Sequence, residues 1–205
     1  MGKGVFISFE GGEAVGKSTQ IALLASALKK EGYPIHISRE PGGTKLGEKL
    51  RTIIKSDPMC SRAELLLFQA SRAELVESVL VPKLKKGVIV ISDRYAESSL
   101  VYQGMTRKLP LREVAAANQI ATGGLRSDFI VLLHGKTAQA RMNRRGSKDR
   151  IEREKNDFHR QVAQNYLKLA RSDKRFHIYP ADLDRQQIHK MILKDILKLI
   201  NRKMS

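Results

Sequence analysis

The chain has no tryptophan, a single cysteine and only 5% aromatic residues among its 205. A lone thiol, Cys60, cannot close an internal disulfide, so a cystine-stapled fold is excluded and a reducing compartment fits. The five histidines show no His-Glu-x-x-His spacing, and no cysteine pair exists, which argues against a structural zinc site. No apolar run approaches the ~20 residues of a spanning helix, so no membrane partner is expected. A strand pattern begins at residue 4, leaving no stretch for a secretory leader, and Phe6 stands where a myristoylation signal on Gly2 needs Ser or Thr. A cytoplasmic location follows as the expectation.

Acidic residues are also short, 21 against 38 basic ones, for a net charge of +17. One reading is a basic face for nucleic acid, the other an enzyme whose substrates are polyanions. The excess is concentrated beyond residue 135. Segments such as Ile188-His189-Lys190-Met191-Ile192-Leu193-Lys194 have the pattern of an amphipathic helix with a solvated basic face. With so few aromatics, a stacking surface for single strands is not expected, and no specific nucleic-acid partner is either.

What is present begins at once. An apolar run, Val5-Phe6-Ile7-Ser8-Phe9, leads into Gly11-Gly12-Glu13-Ala14-Val15-Gly16-Lys17-Ser18-Thr19, which contains G-x-x-x-x-G-K-S between a strand pattern and a helix pattern. The glycines let the backbone curl round a polyphosphate with its N–H groups inward, and the helix start favours an anion. Lys17 is placed for the β- and γ-phosphates and the Ser18 hydroxyl for Mg²⁺. A nucleoside triphosphate is implied, without its purpose.

Strand patterns occupy 4–9, 34–38, 87–92, 128–133 and 175–179. Val88-Ile89-Val90-Ile91 and Phe129-Ile130-Val131-Leu132-Leu133 are continuously apolar, as strands covered on both faces are. Helical spacing is expected at 18–31, 45–55, 62–85, 111–122, 137–145, 151–171 and 184–202. The alternation predicts an α/β fold: one domain over 1–205 with a doubly wound, five-stranded parallel sheet flanked by helices. Its ligands are expected at the carboxyl ends of the strands.

Residues of chemical interest follow those strand ends. Arg39-Glu40-Pro41-Gly42-Gly43 could wall a pocket or be a plain loop. Phe68 and Arg72 share a helix face and suit a planar base, or else core and solvent. Asp93-Arg94-Tyr95, followed by Ser98, Tyr102 and Gln103, puts a carboxylate where it can steer Mg²⁺ and a cation beside it, or else a simple ion pair. Arg141, Arg144 and Arg145 lie in a basic stretch that could close over phosphates or merely face solvent.

In these segments the chain resembles the bacterial thymidylate kinase family. The resemblance runs end to end, through Phe9-Glu10-Gly11…Gly16-Lys17-Ser18-Thr19, Arg39-Glu40-Pro41-Gly42-Gly43-Thr44, Leu67-Phe68…Arg72, Asp93-Arg94-Tyr95…Ser98…Tyr102-Gln103-Gly104 and Asp149-Arg150-Ile151-Glu152. It implies a P-loop kinase that transfers the ATP γ-phosphoryl group to thymidine 5′-monophosphate in dTTP synthesis, with Mg²⁺ and as a homodimer. It implies that Glu13 holds the 3′-hydroxyl, that Phe68 stacks on thymine with Arg72 at its O4, and that Pro41 packs near the base. Arg39 and Arg94 then grip the acceptor phosphate, Tyr102 crowds the sugar C2′, and Ser98, Ser99 and Gln103 surround the base edge. Ser18 and Asp93 serve the metal. With no arginine in the phosphate loop, an arginine-rich lid at about 137–153 supplies Arg145, with Arg141 and Arg144 beside it. The chain departs from the family pattern at Ala14, where glycine is common, at Ser99, and at Ser127-Asp128 and His134 around the fourth strand. The apolar residues Leu65, Leu66, Leu67, Val76 and Val79 of 62–85 are compatible with a helix buried on a second face. Rival readings are a kinase for another nucleoside monophosphate, a P-loop ATPase or switch, and a basic nucleic-acid-binding module.

Overall fold

Each of the five strand patterns becomes a strand, and in the computed structural model, which describes residues 4–135 and 149–204, all pair in parallel. The strands are β1 (Phe6–Glu10), β2 (Ile35–Arg39), β3 (Ile89–Asp93), β4 (Phe129–His134) and β5 (Phe176–Pro180). They lie in the order β2-β3-β1-β4-β5. The chain reverses direction across the sheet beside β1, and that switch point is where an open α/β sheet leaves a crevice for ligand.

Alternation along the strands sends successive side chains to opposite layers. Ile7, Phe9, Ile91, Val131 and Leu133 pack against Ile21, Leu24 and Leu28 of α1 (Lys17–Lys30) and against Ile188, Ile192 and Ile196 of α8 (Arg185–Met204). The i, i+4, i+8 spacing of that last set is the buried stripe of an amphipathic helix. On the other face Phe6 and Val90 meet Leu75, Val76 and Leu80. Ile130 and Leu132 meet Val101, Val162 and Tyr166. Full burial of such side chains contributes about 1.5–3 kcal/mol each and clamps the strand ends between two helical layers.

The remaining helices are α2 (Lys45–Ser56), α3 (Ser61–Leu75), α4 (Val81–Lys85), α5 (Ala96–Ser99), α6 (Leu111–Thr122) and α7 (Asn156–Ser172). Thr44 caps α2 by accepting the Gly47 N–H at 2.9 Å. Two π-helical segments interrupt the pattern: Val76–Leu80 joins α3 to α4, and Leu100–Thr106 continues α5. The helical run 96–106 was not expected from the sequence, and 151–155 forms turns before α7 instead of its expected first turn. The expected helix 137–145 lies outside the described residues.

Candidate active site

The phosphate loop turns on three left-handed residues, Gly11 (φ 137°), Ala14 (φ 56°) and Gly16 (φ 98°). Gly11 is irreplaceable in place, because a Cβ there would stand 2.5 Å from the Leu133 carbonyl oxygen. Ala14 instead adopts a conformation costing an L-residue ~1–2 kcal/mol, so its departure from glycine is a strain held by the loop. Gly16 opens α1, whose first residues Lys17, Ser18 and Thr19 line the cleft. Lys17 is buried and donates to the Gly12 carbonyl at 2.9 Å, and burial followed by Arg94 holds its pKa below the usual lysine value.

β3 delivers the opposite wall. Arg94, at φ 74°, turns back over the loop and donates to the Gly11 carbonyl (3.1 Å), Ser98 (3.2 Å) and Tyr166 (3.2 Å) from one nitrogen. Its other terminal nitrogen donates to Glu13 (2.5 Å) and Tyr102 (3.1 Å). Burial alone would raise the Glu13 carboxyl, but Arg94 and Lys17 outweigh it and bring the pKa to about 2. Glu10 has the contrary fate: burial and then Glu97 push it to about 7 despite Arg94, and it accepts from the Tyr95 N–H (2.8 Å), Ser98 (2.7 Å) and Tyr166 (2.7 Å). The Ser18 hydroxyl donates to Asp93 at 3.4 Å, so a hydroxyl and a carboxylate from two elements share one small volume. Among the described residues no cluster of three or more His, Cys, Asp or Glu is placed to hold a metal by itself.

β2 ends in Arg39, exposed and paired with Glu48 at 3.0 Å. The Glu40–Pro41 bond is cis. Gly42 N–H donates to Ser71 at 3.1 Å, and Arg51 donates to the Pro41 carbonyl at 2.8 Å, fixing the proline against the cleft.

Arg72 is 1% exposed, against the solvent or base-contacting positions expected of it. It pairs with Glu40 at 2.7 Å and also donates to Gln69 (2.9 Å), Ser99 (3.0 Å), Asn118 (2.7 Å) and the Tyr95 carbonyl (3.1 Å). It therefore stands behind the cleft wall, while Phe68 lines the cleft.

One cavity of about 570 Å³ joins these parts. The loop from Glu13 to Thr19, Arg39, Pro41, Phe68, Asp93, Arg94, Ser98, Ser99, Tyr102 and Gln103 all line it. Gly11 and Gly12 are not in its lining and border a second hollow beside α7. Arg141, Arg144 and Arg145 lie outside the described residues. Sequence reasoning missed Arg51, Tyr166 and the Glu64 cluster. Glu64 binds Gln103 (2.8 Å), Arg107 (3.3 Å) and Arg150 (2.6 Å), tying the segment after residue 148 to α3. Of these Gln103 and Arg150 stood in segments carrying the family resemblance, Gln103 as a base-edge residue and not as a partner of Glu64, and isolated Arg, Glu or Tyr residues inside helices give no local signal. At the far end Ala181, Leu183, Arg185 and Ile188 form a less polar rim, braced by Gln20 donating to the Arg185 carbonyl at 2.9 Å.

The chain is similar to known proteins over most of its length. A family model described as thymidylate kinase matches residues 9–192. A thymidylate kinase of Caldanaerobacter subterraneus subsp. tengcongensis is 43% identical over 198 residues, 95% of each chain. One of Fervidobacterium nodosum is 45% identical over 192 residues, 93% of this chain and 97% of its own. The crystal structure of thymidylate kinase from Ehrlichia chaffeensis superposes with a TM-score of 0.78 at 27% identity, covering 95% of this chain and 98% of its own.

Proposed function

The chain belongs to the thymidylate kinase family, and from that premise we propose how its own residues divide the work. The reaction is phosphorylation of thymidine 5′-monophosphate by ATP, giving dTDP and ADP. The observation that carries the assignment of roles is the continuity of the cleft, in which one end is a phosphate loop and the other a ring, a proline and hydroxyls.

ATP occupies the loop end, with its base toward Ala181, Leu183 and Ile188. The acceptor nucleotide lies toward Phe68, whose ring offers a stacking face, with Pro41 opposite and Ser98, Ser99 and Gln103 at the base edge. Arg72 acts through Ser99 and Glu40, holding the wall the base rests on. Glu13 stays ionised, able to accept from the sugar hydroxyl, and Tyr102 beside it closes the space at C2′. Arg39 and Arg94 face the acceptor phosphate and Lys17 the donor's. The acceptor is already an oxyanion, so positioning and charge neutralisation suffice and no general base is required.

Mg²⁺ fits Ser18 and Asp93, a hydroxyl and a carboxylate suited to a hard cation that takes its other oxygens from phosphate and water. When bound it neutralises charge on the phosphate oxygens. Arg145, Arg141 and Arg144 are proposed, on the family resemblance, to add positive charge over the transferring group.

The chain is further proposed to be one domain with its lid at about 137–153, working in the cytoplasm. The enzyme is proposed to be a homodimer through α3 and α6, where Leu66, Leu111 and Ile120 are 63%, 50% and 84% exposed. Leu65 and Val76 are buried and only Leu66 of the expected second face is exposed, so α6 supplies most of the patch.

Steady-state kinetics of Phe68→Ala test the division of the cleft. The KM for thymidine monophosphate should rise tenfold or more, in line with about 1–3 kcal/mol per stacked base, while the KM for ATP stays put. A rise in the ATP KM alone would reverse the two ends.

A further inference from the structure

The charge excess has a location that the order of residues in the sequence conceals. In a parallel sheet the helix that leads into each next strand runs antiparallel to it, so the C-termini of those helices collect at the pole opposite the ligand cleft. Here that pole is crowded with cations drawn from the whole chain. Lys29 and Lys30 end α1, and Lys83, Lys85 and Lys86 surround the end of α4, all exposed. Gly4 N–H donates to the Leu84 carbonyl at 3.2 Å and Ile89 N–H to the Pro34 carbonyl at 2.8 Å, which brings both groups to the strand starts. On the other half, Arg126, Arg171 and Lys174 are exposed beside β4 and β5, as are Arg202 and Lys203 at the end of α8. Lys203 reaches Asp128 at 2.6 Å, and Asp128 in turn accepts the Phe6 N–H at 2.9 Å, so α8 also ends at this edge.

Cations at helix C-termini commonly offset the macrodipole, and part of the charge does that here. It does not absorb the whole. The ends of α1, α4, α6, α7 and α8 present about half a negative charge each. Glu31, Asp128 and Asp173 are the neighbouring carboxylates, against ten exposed cations just named. Among the described residues only Lys203 and Arg126 of those ten have a carboxylate within ion-pair reach, Arg126 at 3.8 Å from Asp173.

We propose that this pole is a docking surface for the phosphate backbone of double-stranded nucleic acid, bound without sequence preference. The chemistry selects that partner. Neither single-strand stacking nor insertion into lipid has the side chains it needs, because none of the large exposed hydrophobic residues falls in 29–31, 83–87, 126–128, 171–175 or 201–203. What remains is an array of solvated point charges at the starts of a five-stranded sheet, a surface that can engage phosphates through charge alone. The surface stands apart from catalysis: none of the ten cations lines the cleft.

Fluorescence anisotropy with a short labelled DNA duplex of mixed sequence tests this in the full chain. The comparison variant is Lys83→Glu/Lys85→Glu/Lys86→Glu, whose unchanged kinase activity reports intact folding. The wild type should bind with an affinity that falls steeply with salt, at about 0.9 in log–log slope per phosphate neutralised. The variant should lose roughly tenfold or more in affinity and about 3 in that slope. Saturating ATP and thymidine monophosphate should leave duplex binding unchanged. Equal binding by the variant, displacement of the duplex by nucleotides, or tighter binding to phosphatidylserine vesicles than to duplex would each overturn the proposal.

Discussion

Arg94 binds Gly11, Glu13, Ser98, Tyr102 and Tyr166 at once, so it organises the site beyond the phosphate-gripping role proposed for it. Its loss should therefore lower stability and turnover together, since Glu13 would keep its burial without its partner. Lys17 differs: burial works against its charge, so Lys17→Ala should leave the melting temperature unchanged or higher. Its turnover should drop on the order of 10²–10³-fold, the usual loss for one donor aimed at developing charge. Calorimetry beside kinetics separates the two cases, and a Lys17→Ala protein that melts early would contradict this. The carboxylates predict opposite pH limbs. Glu10, raised from 4.5 to about 7, favours the folded state below pH 4.5, and that contribution is lost as pH rises to 7, at about 3 kcal/mol. Glu13, lowered to about 2, stabilises above pH 4.5, and its contribution is lost as pH falls toward 2. Urea titrations of wild type and Glu10→Gln from pH 4.5 to 7 should differ in slope, the variant lacking the decline; parallel curves would refute the Glu10 assignment.

At the scale of elements, β1, β3 and β4 were legible because strands covered on both faces are written as mostly apolar runs, whereas the edge strands β2 and β5, partly exposed, showed in the shorter apolar–polar patterns Ile35-His36-Ile37-Ser38 and Phe176-His177-Ile178-Tyr179. Their observed ends lie one residue further on, at Glu10, Arg39, Asp93, His134 and Pro180, since the ladder continues into charged, imidazole and proline residues that the apolar pattern discards. The run 96–106 was illegible for a related reason. Ser98, Ser99, Tyr102 and Gln103 are buried there to build the cleft, so polarity and exposure part company, and Ser, Tyr, Val and Gly are weak helix formers. The π turn closes with Arg107 N–H donating to the Tyr102 carbonyl at 2.8 Å, a spacing no amphipathic template carries. Arg72 shows the same limit, because nothing local announces that Glu40, 32 residues away, will meet it in the core. Arg72→Met should cost about 3–5 kcal/mol by leaving Glu40 buried and unpaired, and adding Glu40→Gln should restore much of it. A double variant no more stable than the single one would deny the pair its role. In the phosphate loop, Ala14→Gly should hold or gain about 1 kcal/mol by relieving the positive φ, whereas Gly11→Ala should be strongly destabilising against the Leu133 carbonyl.

For the whole molecule, a single parallel sheet separates two charged regions: the cleft at the strand ends and the cation-rich pole at the strand starts. The family motifs made the first legible, whereas the second emerges only when distant segments are folded together. A dimer through the α3–α6 patch should become monomeric in Leu66→Asp/Ile120→Asp by sedimentation equilibrium, and an unchanged mass would move the interface elsewhere. The central claim is that one cleft couples ATP to a thymine deoxynucleotide, and it is tested most directly by ADP release with ATP and Mg²⁺ across nucleoside monophosphates. Thymidine monophosphate should be the strong acceptor, deoxyuridine monophosphate weaker, and cytosine, adenine and guanine nucleotides near the level without acceptor. ADP release indifferent to the acceptor, or fastest with a purine, would contradict the account.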